Sequence, residues 1–112
     1  MEKLNMINEY LEKVGAQDIK VFDLRGVSSL FDYVFIATVD VARQAAALVD
    51  YINKAKKTNE CNLDFRNING EGSNWTLIDL NDILLNVFTY EERIHYDLER
   101  LYVDMPLITL SK

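Results

Sequence analysis

The sequence is poor in residues that build covalent or metal-bound sites. It has one cysteine, Cys61, and one histidine, His95. A lone cysteine excludes an intramolecular disulfide, and these two residues are too few for a recognisable zinc cluster. We interpret Cys61 as a small residue at a loop edge and expect His95 to be solvent-facing or half-buried. The acidic residues Glu91, Glu92 and Glu99 fit the first turn of a helix, where the dipole favours them.

Long apolar runs and phosphate-binding glycine patterns are also missing. No stretch approaches the roughly 20 apolar residues that span a bilayer, and the first residues lack the basic start and apolar stretch of a signal peptide. We therefore expect a cytoplasmic protein without a membrane partner. Gly70-Glu71-Gly72 is neither a Walker loop nor a dinucleotide fingerprint, so we predict a hairpin loop there.

Basic residues are outnumbered, with 12 Lys and Arg against 18 Asp and Glu, and the formal net charge is −6. Nucleic-acid affinity is carried mainly by basic side chains that displace counterions, so we expect little direct nucleic-acid contact and favour a basic protein partner. Apolar residues make up 49% and charged residues 27%, which is typical of a folded chain. A length of 112 residues fits a single domain over residues 1–112.

Apolar residues at helical spacing predict three helices. Gly15 would stop the first, Asp40 would cap the second, and a capping box over Thr89–Glu92 would start the third. Pro106 marks where the third must already have ended. The apolar positions are Leu4, Ile7, Leu11 and Val14; Ala42, Ala45, Ala46, Val49 and Ile52; and Ile94, Leu98 and Leu101.

Short runs of branched and aromatic residues predict five strands. Asn81-Asp82, between the last two, tolerates the left-handed backbone of a tight turn, so these strands should be antiparallel neighbours. The order helix, two strands, helix, three strands, helix predicts an α/β (α+β) fold, a mixed sheet flanked by helices. The predicted strands are Ile19–Leu24, Tyr33–Thr38, Leu63–Ile68, Trp75–Leu80 and Ile83–Phe88.

One segment is similar to a catalytic signature. Gly26-Val27-Ser28-Ser29 followed by Asp32 is similar to the nucleotidyltransferase pattern, in which Gly-Ser precedes two strand carboxylates that hold divalent metals. The second carboxylate is missing, because Val34 cannot ligate a hard cation. We therefore predict no catalytic residue, metal or cofactor, and interpret Asp32 as ordering the turn before its strand. The alternative is a degenerate nucleotidyltransferase-like domain that binds nucleotide and metal through Asp32 and a remote carboxylate.

The last predicted hairpin offers a candidate binding surface. Strand alternation places alternate residues on one face, and a polar Asn86 favours an outward direction for its set. Trp75, Leu77 and Phe88 would then form an exposed apolar patch of the kind that protein interfaces use. The alternative is that Trp75 packs under a terminal segment. The residues assigned to this face are Trp75, Leu77, Asp79, Leu84, Asn86 and Phe88.

Three blocks of the sequence resemble the ribosomal silencing factor family, also called Iojap-like proteins. The resemblance covers roughly Ile19 to Pro106. Asn86 stands where the family commonly has His, and Asn81 where Gly normally precedes Asp82. The blocks are Asp23-Leu24-Arg25-Gly26-Val27-Ser28-Ser29 with Asp32-Tyr33 and Ile36-Ala37-Thr38; Trp75-Thr76-Leu77-Ile78-Asp79-Leu80 with Asp82; and Tyr96-Asp97-Leu98-Glu99-Arg100-Leu101 with Asp104 and Pro106.

The resemblance implies a mixed α/β fold related to nucleotidyltransferases but lacking their catalytic carboxylates. It also implies binding to the universal large-subunit ribosomal protein numbered fourteen, which blocks joining of the small subunit and represses translation under nutrient limitation. We expect the hairpin face to make this contact, with Tyr96 and Asp97 nearby. A third hypothesis is an adaptor whose hairpin pairs with itself, so that the free protein is a homodimer.

Overall fold

In the computed structural model, which describes residues 2–58, 67–70 and 73–108, helices and strands follow one another in the predicted order. A short 3-10 helix is added after the last α-helix. The elements are α1 (Glu2–Lys13), β1 (Gln17–Asp23), β2 (Tyr33–Val39), α2 (Ala42–Thr58), β3 (Asn67–Asn69), β4 (Trp75–Asp79), β5 (Ile83–Thr89), α3 (Tyr90–Tyr96) and the 3-10 helix (Leu98–Tyr102).

The strands form one mixed sheet in the order β1-β2-β5-β4-β3. β2 and β5 run parallel, whereas the other neighbouring pairs are antiparallel. A parallel pair needs a long crossover, and the connection from β2 to β5 contains α2. The predicted antiparallel pairing of β4 with β5 is confirmed, and Asn81 in their turn has the expected left-handed backbone, with φ of 78°. The mixed α/β class is therefore confirmed.

One face of the sheet carries the main core. Leu11 of α1 and Ile52 of α2 are fully buried against strand residues such as Phe35, Ile78 and Leu85. The helical stripes predicted from the sequence supply this layer. Full burial of one such side chain contributes about 1.5–3 kcal/mol relative to exposure, so this face provides most of the hydrophobic stabilisation.

The start of α2 is secured by a side chain that the sequence did not single out. The Gln44 Oε1 accepts hydrogen bonds from the backbone N–H groups of Asp40, at 2.7 Å, and Val41, at 2.9 Å. Its Nε2 donates to the carbonyl of Val14 at 2.8 Å. Gln44 thus serves the end of the helix where Asp40 was expected to act as the cap, and it also ties α2 to the end of α1.

The last helix differs from the prediction in two ways. Asp97 adopts a left-handed backbone, with φ of 43° and ψ of 48°, so α3 ends at Tyr96 and the chain continues as the 3-10 helix. Thr89 makes no side-chain cap hydrogen bond, so the predicted capping box is not formed. Because the helical spacing is interrupted at Asp97, Ile94 and Leu101 do not share a buried stripe and are 64% and 71% exposed.

The outer edge of β1 is partly covered by the segment after the 3-10 helix. The N–H of Asp23 donates to the carbonyl of Pro106, and the N–H of Ile108 donates to the carbonyl of Val21, both at 2.9 Å. Between these bonds, Phe22 and Leu107 form an antiparallel bridge. This short pairing covers the outer edge of β1 from Val21 to Asp23.

Some predictions fall on residues outside the described ranges. These are Cys61, most of the predicted third strand, of which only Asn67 and Ile68 are described and lie in β3, and Glu71 with Gly72 of the predicted loop. Within the described part of the chain, no helix is both long and apolar enough to cross a membrane.

Candidate partner-binding site

The predicted alternation along the last hairpin is confirmed, but the predicted exposure is wrong for two residues. Trp75 pairs with Phe88 and Leu77 with Asn86, which places all four on one sheet face. Phe88 is fully buried and Asn86 is only 1% exposed. Trp75, Leu77 and Asp79 are half-buried. The outward surface of the hairpin therefore consists mainly of the β4 side chains, together with the half-buried Leu84 of β5.

The reason for this burial is a second, smaller core on that face. Its partly buried members, Leu98, Tyr102 and Met105, come from the 3-10 helix and the turn after it, while Trp75 and Leu84 lie at its margin. Trp75 and this later segment both pack against the same buried cluster, and Trp75 stays half-buried. The fully buried members of the cluster are Phe22, Leu24, Val34, Ile36 and Phe88.

Trp75 is held by both an apolar and a polar contact. Its ring centroid lies 4.7 Å from that of Phe88, with the planes tilted by 37°. Its Nε1 donates a hydrogen bond to the Oδ1 of Asn86 at 3.3 Å, and the Nδ2 of Asn86 donates to the carbonyl of Phe35 at 3.4 Å. The indole is therefore anchored at the sheet and remains partly open to solvent.

The 3-10 helix packs with one side and presents the other to solvent. The ring of Tyr102 lies 5.4 Å from that of Phe22, and burial raises the pKa of Tyr102. On its outer side Leu101 is 71% exposed, and Val103, which follows the helix, is 75% exposed. Val103 lines a cavity with Lys20 and Phe22, so this exposed apolar pair lies toward β1.

A charged network beneath the 3-10 helix was not predicted from the sequence. Arg93 is only 8% exposed and donates through Nη1 to the hydroxyl of Thr38 and the carbonyl of Asp18, both at 2.6 Å. Its Nε donates to Glu99 at 3.0 Å, and the Nζ of Lys20 donates to the other Glu99 oxygen at 2.6 Å. No local pattern reveals this, because Thr38 and Arg93 are 55 residues apart in the chain.

Glu99 therefore does more than complement a helix dipole. Desolvation acts to raise the pKa of its carboxyl, but the hydrogen bonds from Lys20 and Arg93 outweigh that effect, and the net pKa is lowered. An ionised Glu99 ties the 3-10 helix to β1 and to α3. The 3-10 helix covers the second core through Leu98 and Tyr102, and the charged network holds this helix in place.

Of the other two predicted site residues, Tyr96 is the last residue of α3 and Asp97 is the residue that follows it. Asp97 lines a cavity of about 430 Å³ with Asp18 of β1 and with Arg93. The same cavity is lined by Thr38 of β2, which pairs with Phe88, so one strand, β5, separates this part of the cavity from Trp75. Strand pairing brings the hairpin residues together but does not bring Asp97 to them.

The segment that is similar to a nucleotidyltransferase signature forms an ordered turn. The Asp32 side chain is exposed, while the Asp32 N–H donates to the carbonyl of Asp82 at 2.7 Å. Val34 is 1% exposed within the second core. Nearby, Arg25 makes a two-pronged contact with Asp23, at 3.0 and 2.8 Å. Within residues 2–58, 67–70 and 73–108, no group of three His, Cys, Asp or Glu side chains is placed to hold a metal ion.

Comparison with known proteins gives a consistent result. Residues 1–112 match the family model described as ribosomal silencing factor during starvation. The chain is 32% identical over 97 residues to the ribosomal silencing factor RsfS of Bacillus subtilis, covering 86% of this chain and 80% of that protein. It is 31% identical over 106 residues to RsfS of Haemophilus influenzae, covering 91% and 99% respectively.

Solved structures agree with this assignment. A crystal structure of a Chromobacterium violaceum protein matches with a TM-score of 0.79 at 31% identity, over 91% of this chain and 84% of that chain. A second structure, from Bacillus halodurans, also has a TM-score of 0.79, at 26% identity over 97% and 98% of the two chains. The chain therefore belongs to the ribosomal silencing factor family.

Proposed function

We propose that this chain acts without catalysis, by binding the large ribosomal subunit through its universal protein numbered fourteen and occupying space that the small subunit needs. Translation would then be repressed under nutrient limitation. Family membership supports the ribosomal role. The observation that carries the docking step is the half-buried Trp75, which is held on the sheet face by Phe88 and Asn86.

In this proposal the contact is made by Trp75, Leu77 and Asp79 of β4, which share one sheet face and are half-buried. We call these three residues the docking surface. Aromatic anchors at the centre of an interface carry most of its binding energy, whereas polar residues at the rim contribute little. The buried residues Phe88 and Asn86 support this surface, and Tyr96 and Asp97 are kept as further candidate contacts.

The charge of the chain fits a basic partner. A net charge of −6 gives a negative field that speeds encounter with a positively charged protein surface. Such steering depends on unscreened charge, so the association rate should fall as salt is raised, while the dissociation rate, governed by the apolar contact, changes little.

The proposal is tested by sedimentation with purified subunits. Large subunits preincubated with the protein should carry it through a sucrose gradient, and small subunits added afterwards should fail to join them. Addition of the protein after the subunits have joined provides an order-of-addition control. Co-sedimentation without any inhibition of joining would refute the steric step, and an absence of co-sedimentation would refute the docking step.

The competing hypothesis, a degenerate nucleotidyltransferase-like domain, has less support because Val34 stands where a second metal-binding carboxylate is needed and lies in an apolar cluster. Titration with magnesium and nucleoside triphosphates separates the two hypotheses. Saturable binding or turnover would favour the enzyme hypothesis, and its loss in Asp32→Asn would locate the site.

A further inference from the structure

We infer that Asn86 is a positioning residue, which fixes the indole of Trp75 in the one orientation that a protein partner meets. The inference rests on the proposed function, because it takes Trp75 as a contact residue. It adds that the part of the indole ring that faces the partner is apolar. The buried side chain of Asn86 sets this orientation.

The amide of Asn86 is out of place on packing grounds alone. It is 1% exposed, on the same face as Phe88 and Ile36 of the second core. Burial of an amide is unfavourable unless its donor and acceptor are both satisfied. A leucine at this position would fill a similar volume without that requirement. The amide therefore needs an explanation other than the filling of space.

Both halves of the amide are satisfied, and the partners allow only one orientation. The Oδ1 accepts from the indole Nε1 of Trp75, a group that can only donate, and the Nδ2 donates to the carbonyl of Phe35, a group that can only accept. Rotation of the amide by half a turn would place donor against donor and acceptor against acceptor. Asn86 is thus fixed to β2 at one end and orients Trp75 at the other.

This arrangement determines what Trp75 shows to the outside. The indole has one polar atom, and Asn86 turns that atom toward the sheet. The Phe88 ring, 4.7 Å away, limits tilting of the indole plane from the inner side. The half-exposed remainder of the ring is carbon, so the matching pocket of a partner is apolar and needs no hydrogen-bond acceptor for the indole.

The first test uses Trp75 as its own reporter, since it is the one tryptophan in the chain. In Asn86→Leu, the freed indole should show an added fast component in time-resolved fluorescence anisotropy and a shifted emission maximum. Asn86→His keeps an acceptor nitrogen and should restore the slow decay. Melting curves confirm that each variant is folded. An Asn86→Leu decay identical to that of the original chain would overturn the inference.

The second test is a double-mutant cycle on binding to large subunits. Asn86→Leu should weaken binding roughly two- to tenfold, the range expected for one hydrogen bond. In a Trp75→Phe background, which has no indole N–H, Asn86→Leu should cause no further loss beyond about twofold. Equal losses in both backgrounds would show that Asn86 acts independently of Trp75 and would overturn the inference.

The two tests separate this inference from the proposed function. If the original chain does not bind large subunits, the proposed function fails, yet the anisotropy measurement still decides whether Asn86 fixes the indole. If binding is observed but neither the anisotropy nor the cycle depends on Asn86, the positioning role fails and the docking proposal stands.

Discussion

The rings of Trp75 and Phe88 lie 4.7 Å apart across the antiparallel pair of β4 and β5, although one is half-buried and the other is completely buried. The sequence pattern predicts that both residues lie on an exposed binding surface, but the structure gives them different positions. Phe88 belongs to the second core and stabilises the fold, whereas Trp75 packs against it and stays half-exposed. Substitutions at the two positions should have different consequences.

Replacement of Trp75 by alanine should mainly affect binding. If Trp75 is an interface anchor, Trp75→Ala should weaken affinity for large subunits by about 2 kcal/mol or more, measured by co-sedimentation across a concentration series. Val41→Ala is a matched control, because Val41 is 48% exposed beside α2, which packs on the opposite sheet face. Unchanged affinity in Trp75→Ala would remove Trp75 from the docking surface.

Replacement of Phe88 by alanine should mainly affect stability. Removal of a fully buried aromatic ring leaves a cavity and typically lowers the free energy of unfolding by about 3–5 kcal/mol. Urea unfolding followed by circular dichroism measures this change. Leu101→Ala is the control, since a side chain that is 71% exposed should alter stability by no more than about 0.5 kcal/mol. Equal effects of the two substitutions would contradict the described second core.

Glu99→Gln should loosen the cover of the second core. The substitution removes the charge that faces Lys20 and Arg93, at 2.6 and 3.0 Å, and leaves the buried guanidinium less well compensated. We expect a loss of about 1–3 kcal/mol in the free energy of unfolding and faster hydrogen exchange across residues 98–105. Glu9→Gln, at an exposed position of α1, should change neither measurement.

The same carboxylate predicts a pH dependence with a defined sign. The folded-state pKa of Glu99 lies below its ordinary value of 4.5. Its ionised form therefore contributes stability that is fully present above that ordinary value and is lost as pH falls through the lower folded-state pKa. The stability difference between the original chain and Glu99→Gln should be constant from about pH 7 to pH 5 and should shrink in more acidic solution. A difference that grows on acidification would contradict the network.

The turn between β4 and β5 provides a test of backbone conformation. Asn81 has a φ of 78°, which glycine and asparagine adopt readily and branched side chains do not. Asn81→Gly should change the free energy of unfolding by no more than about 0.5 kcal/mol, whereas Asn81→Val should lower it by about 1–2 kcal/mol. Thermal unfolding of the two variants measures the contrast, and equal melting temperatures would contradict a left-handed turn.

Local patterns were enough to predict most of the fold. Helical spacing placed Leu11 and Ile52 on buried stripes, and alternation assigned the residues of β4 and β5 to the correct faces. Alternation states which residues share a face, but it cannot state what covers that face. The polar Asn86 therefore predicts exposure, whereas its amide is buried and hydrogen-bonded to Trp75 and Phe35.

Features that depend on distant residues could not be predicted in this way. The apolar residues Ile94, Leu98 and Leu101 have helical spacing, so the sequence predicts one continuous helix. The left-handed backbone of Asp97 instead ends α3, and the spacing does not indicate this break. The pairing of the buried Arg93 with the half-buried Glu99 depends likewise on partners in β1 and β2. The helical spacing of these residues thus carries no information about where the chain changes direction.

The short pairing of Val21 and Asp23 with Ile108 and Pro106 has a consequence for solubility. An uncovered strand margin is a template on which other chains can add by backbone pairing, and natural sheets protect such margins to avoid fibrous or amorphous assembly. Here the protection comes from three residues near the end of the described chain. A version shortened before Pro106 would leave the backbone groups of Val21 and Asp23 without these hydrogen bonds. Turbidity in concentrated solution should therefore appear earlier than in the unshortened protein.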